Sequence, residues 1–186
     1  AYSCAHRILL TSNNIHRARA EMRSYMHLIE RLQQPVTLGR LAMFEQFSEQ
    51  LVHSPPVSGA GWALSEAGPA QNPGALSPDT DRLSRFMSHL LSMIQAFVYH
   101  RFDEALQHGD HALSLCDSAF ASYLLSLLSF YHVLAILHQV SPRLLSMPLH
   151  PRTRQVRAGL KKLKRWKTRN PRHFEHTYFL ARAEYH

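Results

Sequence analysis

The chain has 186 residues, 45% of them apolar, which suits one domain of ordinary size with a real core and is too apolar for a disordered segment. The net charge of +8 is lopsided: positions 1–150 carry ten arginines against eleven acids, a sum of −1, while positions 151–186 carry eleven Lys or Arg against Glu175 and Glu184, a sum of +9. Two cysteines, Cys4 and Cys116, exclude a disulfide framework and fit no metal spacing, so a reducing cytoplasmic setting is expected.

Helical periodicity dominates from the start. Between 14 and 33, Ile15, Ala18, Met22, Tyr25, Met26, Ile29 and Leu32 recur at spacings of three and four, and Pro35 marks the end of that stripe. A second helix over 37–52 carries Leu38, Leu41, Phe44, Phe47 and Leu51. The chain then changes character. Positions 53–80 are rich in Pro, Gly, Ser and Ala and read as a flexible insertion. "SGAGWA" inside it lacks the Lys-Ser/Thr end and the preceding strand of a phosphate-binding loop. Ser77-Pro78 suits the cap and first residue of the next helix.

That helix carries Leu83, Phe86, Met87, Leu90, Leu91, Ile94, Phe97 and Val98. "YHRF" interrupts the pattern, and Phe102, Ala105, Leu106, Gly109, Ala112 and Leu113 begin another stripe. The two segments predict an antiparallel pair joined by a very short turn. From Ser118 to Pro142 no Asp, Glu, Lys or Arg occurs. Length alone would allow a membrane span. Ser122, Ser126 and Ser129 on one face, with His132 and His138, point instead to a buried central helix that a neighbour approaches closely. After a proline-punctuated link, one helix is expected from Thr153 to Thr168, with Val156, Leu160, Leu163 and Trp166 inward. Asn170-Pro171 then caps and starts the last helix, which carries Phe174, Tyr178, Phe179, Ala181 and Ala183. The sum is an all-α chain of about eight helices: N-terminal helices over 1–52, the insertion over 53–80, and C-terminal helix pairs over 81–186 continuing one solenoid domain. No charged leader with a small-residue cleavage site appears, so no signal peptide is expected. Both ends fall in helix-like sequence, and the chain is expected to be part of a longer one.

Catalytic chemistry is hard to find. No Gly-x-Ser-x-Gly elbow, His-Glu-x-x-His pair or kinase catalytic loop occurs. His108 and His111 lie one turn apart, but a zinc site needs three or four convergent ligands. His132 and His176 read as core or groove histidines. Asp103 and Glu104 point about 100° apart on a helix and suit its first turn, where the dipole favours negative charge. Neither cysteine has the basic neighbours of an activated thiolate. No catalytic, cofactor-binding or metal-binding residue is expected.

The charged feature with functional content is "KKLKRWKTRNPRHF", which holds every lysine of the chain. With Leu160, Leu163 and Trp166 inward, Lys161, Lys162, Lys164, Arg165, Lys167 and Arg169 fall on the flanks and back. They are the candidate contacts for an acidic partner; otherwise they solvate a helix face. Trp166 is then a core anchor rather than a stacking platform. No DNA-reading motif accompanies the segment, so neither nucleic acid nor membrane is the expected partner, although phosphate binding through 152–172 stays open as a further reading.

Two resemblances bear on the fold and function. "AFVYHRFDEALQHGDHAL", 96–113, resembles the turn of a tetratricopeptide-type pair at Phe102, Glu104, Ala105 and Ala112, with Arg101 and Gly109 departing from the usual pattern. More specifically, Leu163, Trp166, Pro171, Phe174, His176, Tyr178, Leu180, Ala183 and Glu184 fall in the order found at the end of the helical region in large hybrid signalling kinases. Those proteins place a Ser/Thr-kinase-like domain and an AAA/STAND ATPase before this region, and GAF or PAS sensors and a histidine kinase after it. His173 and Thr177 depart from that pattern. "SFYHVLAIL" and "LIERLQQPVTLGRLAMFEQF" also fit, so the similarity spans nearly the whole chain outside 53–80. It implies a non-catalytic scaffold or relay region contacting adjoining domains, with kinase and ATPase chemistry elsewhere. The runner-up is the sensor-type helical domain of a STAND-class transcription regulator. Phe102, Ala105, Ala112, Leu163, Trp166, Phe174 and Tyr178 are expected to be structural anchors.

Overall fold

In the computed structural model, which describes residues 15–53, 82–119, 123–145 and 147–185, every regular element is helical. The elements are α1 (Ile15–Arg31), α2 (Pro35–His53), α3 (Arg82–Val98), α4 (Phe102–Ser114), a 3-10 turn (Cys116–Ala119), α5 (Leu124–Gln139), the single-turn α6 (Pro142–Leu145), α7 (Pro151–Arg169) and α8 (Pro171–Tyr185). The expected insertion, the Ser77-Pro78 start and Ser122 lie outside the described residues. The chain forms two compact units, Ala1–Ser92 and Met93–His186, divided within α3.

In the first unit, α1 and α2 form an antiparallel hairpin. Gln33 takes a left-handed conformation at φ 51°, which turns the chain, and Pro35 starts α2 where no backbone donor is needed. Met22 and Ile29 of α1 are buried, as are Leu41, Phe44 and Phe47 of α2. Two ion pairs fix the register: Arg19 donates to Glu49 at 3.4 Å and Arg23 to Glu45 at 2.6 Å. Arg19 is itself buried, and its head reaches the carboxylate. The periodic stripe also named Tyr25 and Leu32, yet these are 40% and 62% exposed. They form a second, outward stripe with Leu28.

In the second unit, α5 is the central element and packs on α4, α7 and α8. Its apolar character on all sides follows from that position: Leu127, Leu128, Val133, Ala135 and Ile136 are each at most 3% exposed. No helix among the described residues is long and apolar enough to cross a membrane. The α3–α4 connection spans residues 99–101, with His100 left-handed at φ 58°. Asp103 accepts from Gln139 at 2.7 Å and Asp110 from His132 at 3.1 Å, so the contacts advance along α4 as they retreat along α5, the signature of an antiparallel pair.

The serine face of α5 does admit a close neighbour. A methyl group at Gly159 of α7 would lie 2.3 Å from Val133 Cγ2 and 3.7 Å from the Ser129 carbonyl oxygen. Gly109 of α4 does the same on another side, where a Cβ would meet the His132 ring at 2.6 Å. These two glycines let α4 and α7 both pack closely on one stretch of α5.

Candidate acidic-partner surface

α7 begins at Pro151, after His150 in an extended conformation. Thr153 is fully buried and its hydroxyl donates to the Leu144 and Leu145 carbonyls at 3.3 and 3.2 Å, tying the first turn of α7 to α6. Val156 and Leu163, both at 0% exposure, continue the inner face. The sequence of α7 contains nine Lys or Arg and no acid.

Two of the nine are held inward. Arg152 forks onto Asp110, donating from Nη1 at 3.0 Å and from Nη2 at 2.9 Å, and also donates to Gln155 at 3.0 Å. Lys167 lies 3.7 Å from a Glu175 oxygen and 3.9 Å from the centre of the Phe179 ring. The other seven, Arg154, Arg157, Lys161, Lys162, Lys164, Arg165 and Arg169, are exposed. They span about 22 Å of helix at about 1.5 Å per residue. Among the described residues no carboxylate lies in ion-pair range of Lys161, Lys162, Lys164, Arg165 or Arg169. No large apolar side chain of α7 is exposed. The face therefore offers charge without an apolar anchor.

Of the predicted contacts, five are outward and Lys167 is not, because α8 supplies it with a carboxylate and an aromatic ring. Among the predicted anchors, Ala105, Ala112 and Leu163 are at 0% exposure and Tyr178 at 8%. Phe102, Trp166 and Phe174 are only half-buried. Phe102 stacks on His138 at 4.9 Å, and Trp166 lies 6.2 Å from Phe174, which stacks on Tyr123 at 5.7 Å. Trp166 thus sits at the edge of the core, in the cleft between α7 and α8. We expect Trp166→Ala to cost about 2 kcal/mol, below the ~3–5 kcal/mol of a fully buried ring, in a chemical-denaturation experiment. His176 is exposed, not a core or groove residue, because α8 turns Thr177, Tyr178 and Ala181 inward. Among the described residues no group of three or more His, Cys, Asp or Glu could hold a metal ion, and His108 and His111 gather no third ligand.

Sequence reasoning missed the cluster that joins α4, α5 and α7. His132 is 4% exposed and its Nε2–H donates to Asp110, which also receives the Arg152 fork. Burial pushes the His132 pKa below its ordinary 6.5, and the Asp110 bond opposes this without overcoming it. Burial pulls the Asp110 carboxyl up, but the Arg152 and His132 donors outweigh it and leave its pKa below the usual 3.8. The available signal was Gly109, a glycine inside a helical stripe with no turn to explain it, next to Asp110. The cluster has no nucleophile within it and functions as a polar clamp across three helices.

No family model, no curated protein and no solved structure matches this chain.

Proposed function

We propose that this chain is a non-catalytic helical scaffold or relay region, a tetratricopeptide-like solenoid within a multidomain signalling kinase that carries an AAA/STAND ATPase and acts in the cytoplasm. The observation that carries the docking part of this reading is the outer face of α7, where seven exposed cations stand without a single acid on the helix. A face of that kind attracts an acidic surface from an adjoining domain or partner protein. Support for the parent architecture comes from the ordered motif at Leu163, Trp166, Phe174 and Tyr178. Trp166 and Phe174 meet between α7 and α8, and Leu163 and Tyr178 are buried, as structural anchors of such a region would be.

The face is best tested with three polyanions side by side. Fluorescence anisotropy would be measured with an acidic peptide, a DNA duplex and anionic vesicles as salt is raised. Expected is peptide binding that weakens steeply with salt and is lost in the Lys161→Glu/Arg165→Glu variant. Tighter binding to duplex than to peptide would replace this reading with phosphate recognition. In the full reading frame, an upstream nucleotide-binding loop and a downstream histidine-kinase core are expected; a DNA-binding domain in the latter's place would favour the transcription-regulator reading.

A further inference from the structure

α8 carries two apolar faces, and only one of them is used. Thr177, Tyr178 and Ala181 are buried against the unit. On the opposite side, His176, Phe179, Leu180 and Ala183 follow one another at spacings of three, one and three, and all are exposed. Phe179 and Leu180 keep 48% and 50% of their surface in water. Lys167 covers one side of the Phe179 ring at 3.9 Å but leaves the rest open. A helix with a second stripe at i, i+3, i+4 and i+7 lacks a neighbour on that side.

The charges beside the stripe indicate which neighbour fits. Glu175 and Arg182 lie on one flank, and His173 and Glu184 on the other. Each pair is equidistant from a point between residues 178 and 179, within one residue of Phe179 at the middle of the stripe. In an antiparallel pair of identical helices related by a two-fold axis, residues on the same flank meet, and every contact occurs twice. Glu175 then faces Arg182 of the second copy, and Arg182 faces its Glu175. On the other side His173 faces Glu184 of the second copy. The two-fold axis of that register passes half a residue from Phe179, so the Phe179 rings of the two copies lie beside each other across it. Neither Glu175 nor Arg182 is locked elsewhere: Glu175 meets Lys167 at a loose 3.7 Å, and the Arg182 guanidinium reaches only the Tyr178 hydroxyl at 3.4 Å. An α8 from an unrelated chain would have no reason to match at these positions.

We infer that the outer stripe of α8 is a self-association surface, on which a second copy of this chain packs its own α8 antiparallel. The interface is a single helix pair, so it is a weak, reversible contact with a Kd on the order of 10 µM. It is independent of the acidic-partner reading, which uses the outer face of α7.

Sedimentation equilibrium on the 186-residue chain tests this at about 0.2–0.3 M salt, where repulsion between the basic faces is screened. The expected result is a monomer–dimer equilibrium. Leu180→Asp should weaken it at least tenfold while leaving the thermal melt in place, since half of the Leu180 side chain already lies in water. Glu175→Arg alone should weaken it, and Glu175→Arg combined with Arg182→Glu should restore it. A chain that stays monomeric to ~200 µM overturns the inference and assigns the stripe to a following helix of a longer chain. A dimer indifferent to Leu180→Asp but lost with Leu28→Asp overturns it in favour of the α1 stripe. Failure of the charge swap to restore association overturns the antiparallel register.

Discussion

Replacing Gly159 with leucine should unfold much of the second unit at temperatures the parent chain withstands. The helix propensity of leucine is better than that of glycine by close to 1 kcal/mol, so a surface position would gain from the change. Here a Cβ alone would sit 2.3 Å from Val133 Cγ2, on a residue 1% exposed whose branched side chain has one strongly preferred rotamer on a helix. Val133 cannot swing aside, so α5 and α7 must separate. Overpacking of this kind costs about 1–3 kcal/mol for small additions and more for a whole isobutyl group. We expect Gly159→Ala to be destabilising by about 1 kcal/mol after the propensity gain, and Gly159→Leu by more than about 3 kcal/mol. Combining Gly159→Ala with Val133→Ala should be less harmful than the sum of the single changes, because the methyl that clashes is gone. Urea titrations followed by circular dichroism would measure all four variants, and additive costs would refute the close approach.

The second large effect concerns Asp110. Removing its carboxylate in Asp110→Ala leaves the buried His132 N–H without its acceptor and frees the Arg152 fork. We expect a loss of about 2–3 kcal/mol, the range for unsatisfied donors near a charge, moderated because the Asp110 side chain is 41% exposed. The same cluster sets a pH dependence. His132 binds its proton less readily in the folded chain than at its ordinary 6.5, so the unfolded chain takes up that proton first. Its contribution is complete above pH 6.5 and declines as pH falls below that value. Asp110, with its pKa below 3.8, adds a second decline at lower pH, beginning where the unfolded carboxylate protonates. The cluster's contribution to the melting temperature should therefore be flat around neutrality and drop from about pH 6.5 downward. The charges of Arg152 and Lys162 also oppose protonation of His132. In His132→Gln the first part of the acid drop should become shallower; an unchanged profile would assign it to other histidines.

Much of this fold could be read from periodicity. The short link between α3 and α4, the buried α5 and the Asn170-Pro171 restart appear where spacing put them, whereas α3 departs from its stripe: Val98 is 47% exposed, and Met93, Gln95 and Ala96 are buried beside it. Each follows from local rules: one apolar face per helix, a proline where no donor is needed. The expected departure in α1 is instructive. Tyr25 and Leu32 continue the period of Met22 and Ile29 well enough to pass for core, but periodicity does not say how wide the buried stripe is. In α7 the apolar residues were assigned inward correctly, yet Trp166 proved half-buried, since a large ring at the end of a pair lies at the rim. Lys167 was grouped with the outward lysines because a helix wheel knows nothing of the next helix, which brings Glu175 and Phe179 to it.

The candidate surface was more legible than the clamp. A run of lysines is visible in one dimension, whereas Asp110, His132 and Arg152 lie twenty or more positions apart and converge only when three helices pack. Gly109 and Gly159 were visible as residues but not as contacts. Their meaning depends on the neighbour that fills the missing side chain's place.

The division of α7 into a core face and a docking face is tested most directly by measuring stability and affinity on one variant. Lys161→Glu/Arg165→Glu changes two fully outward side chains. We expect a melting temperature unchanged or slightly raised, since like charges are relieved, together with loss of acidic-peptide binding by about 2 kcal/mol, roughly 30-fold, from two attractions reversed. A melting temperature that falls along with the affinity, or binding that survives the reversal, would contradict it.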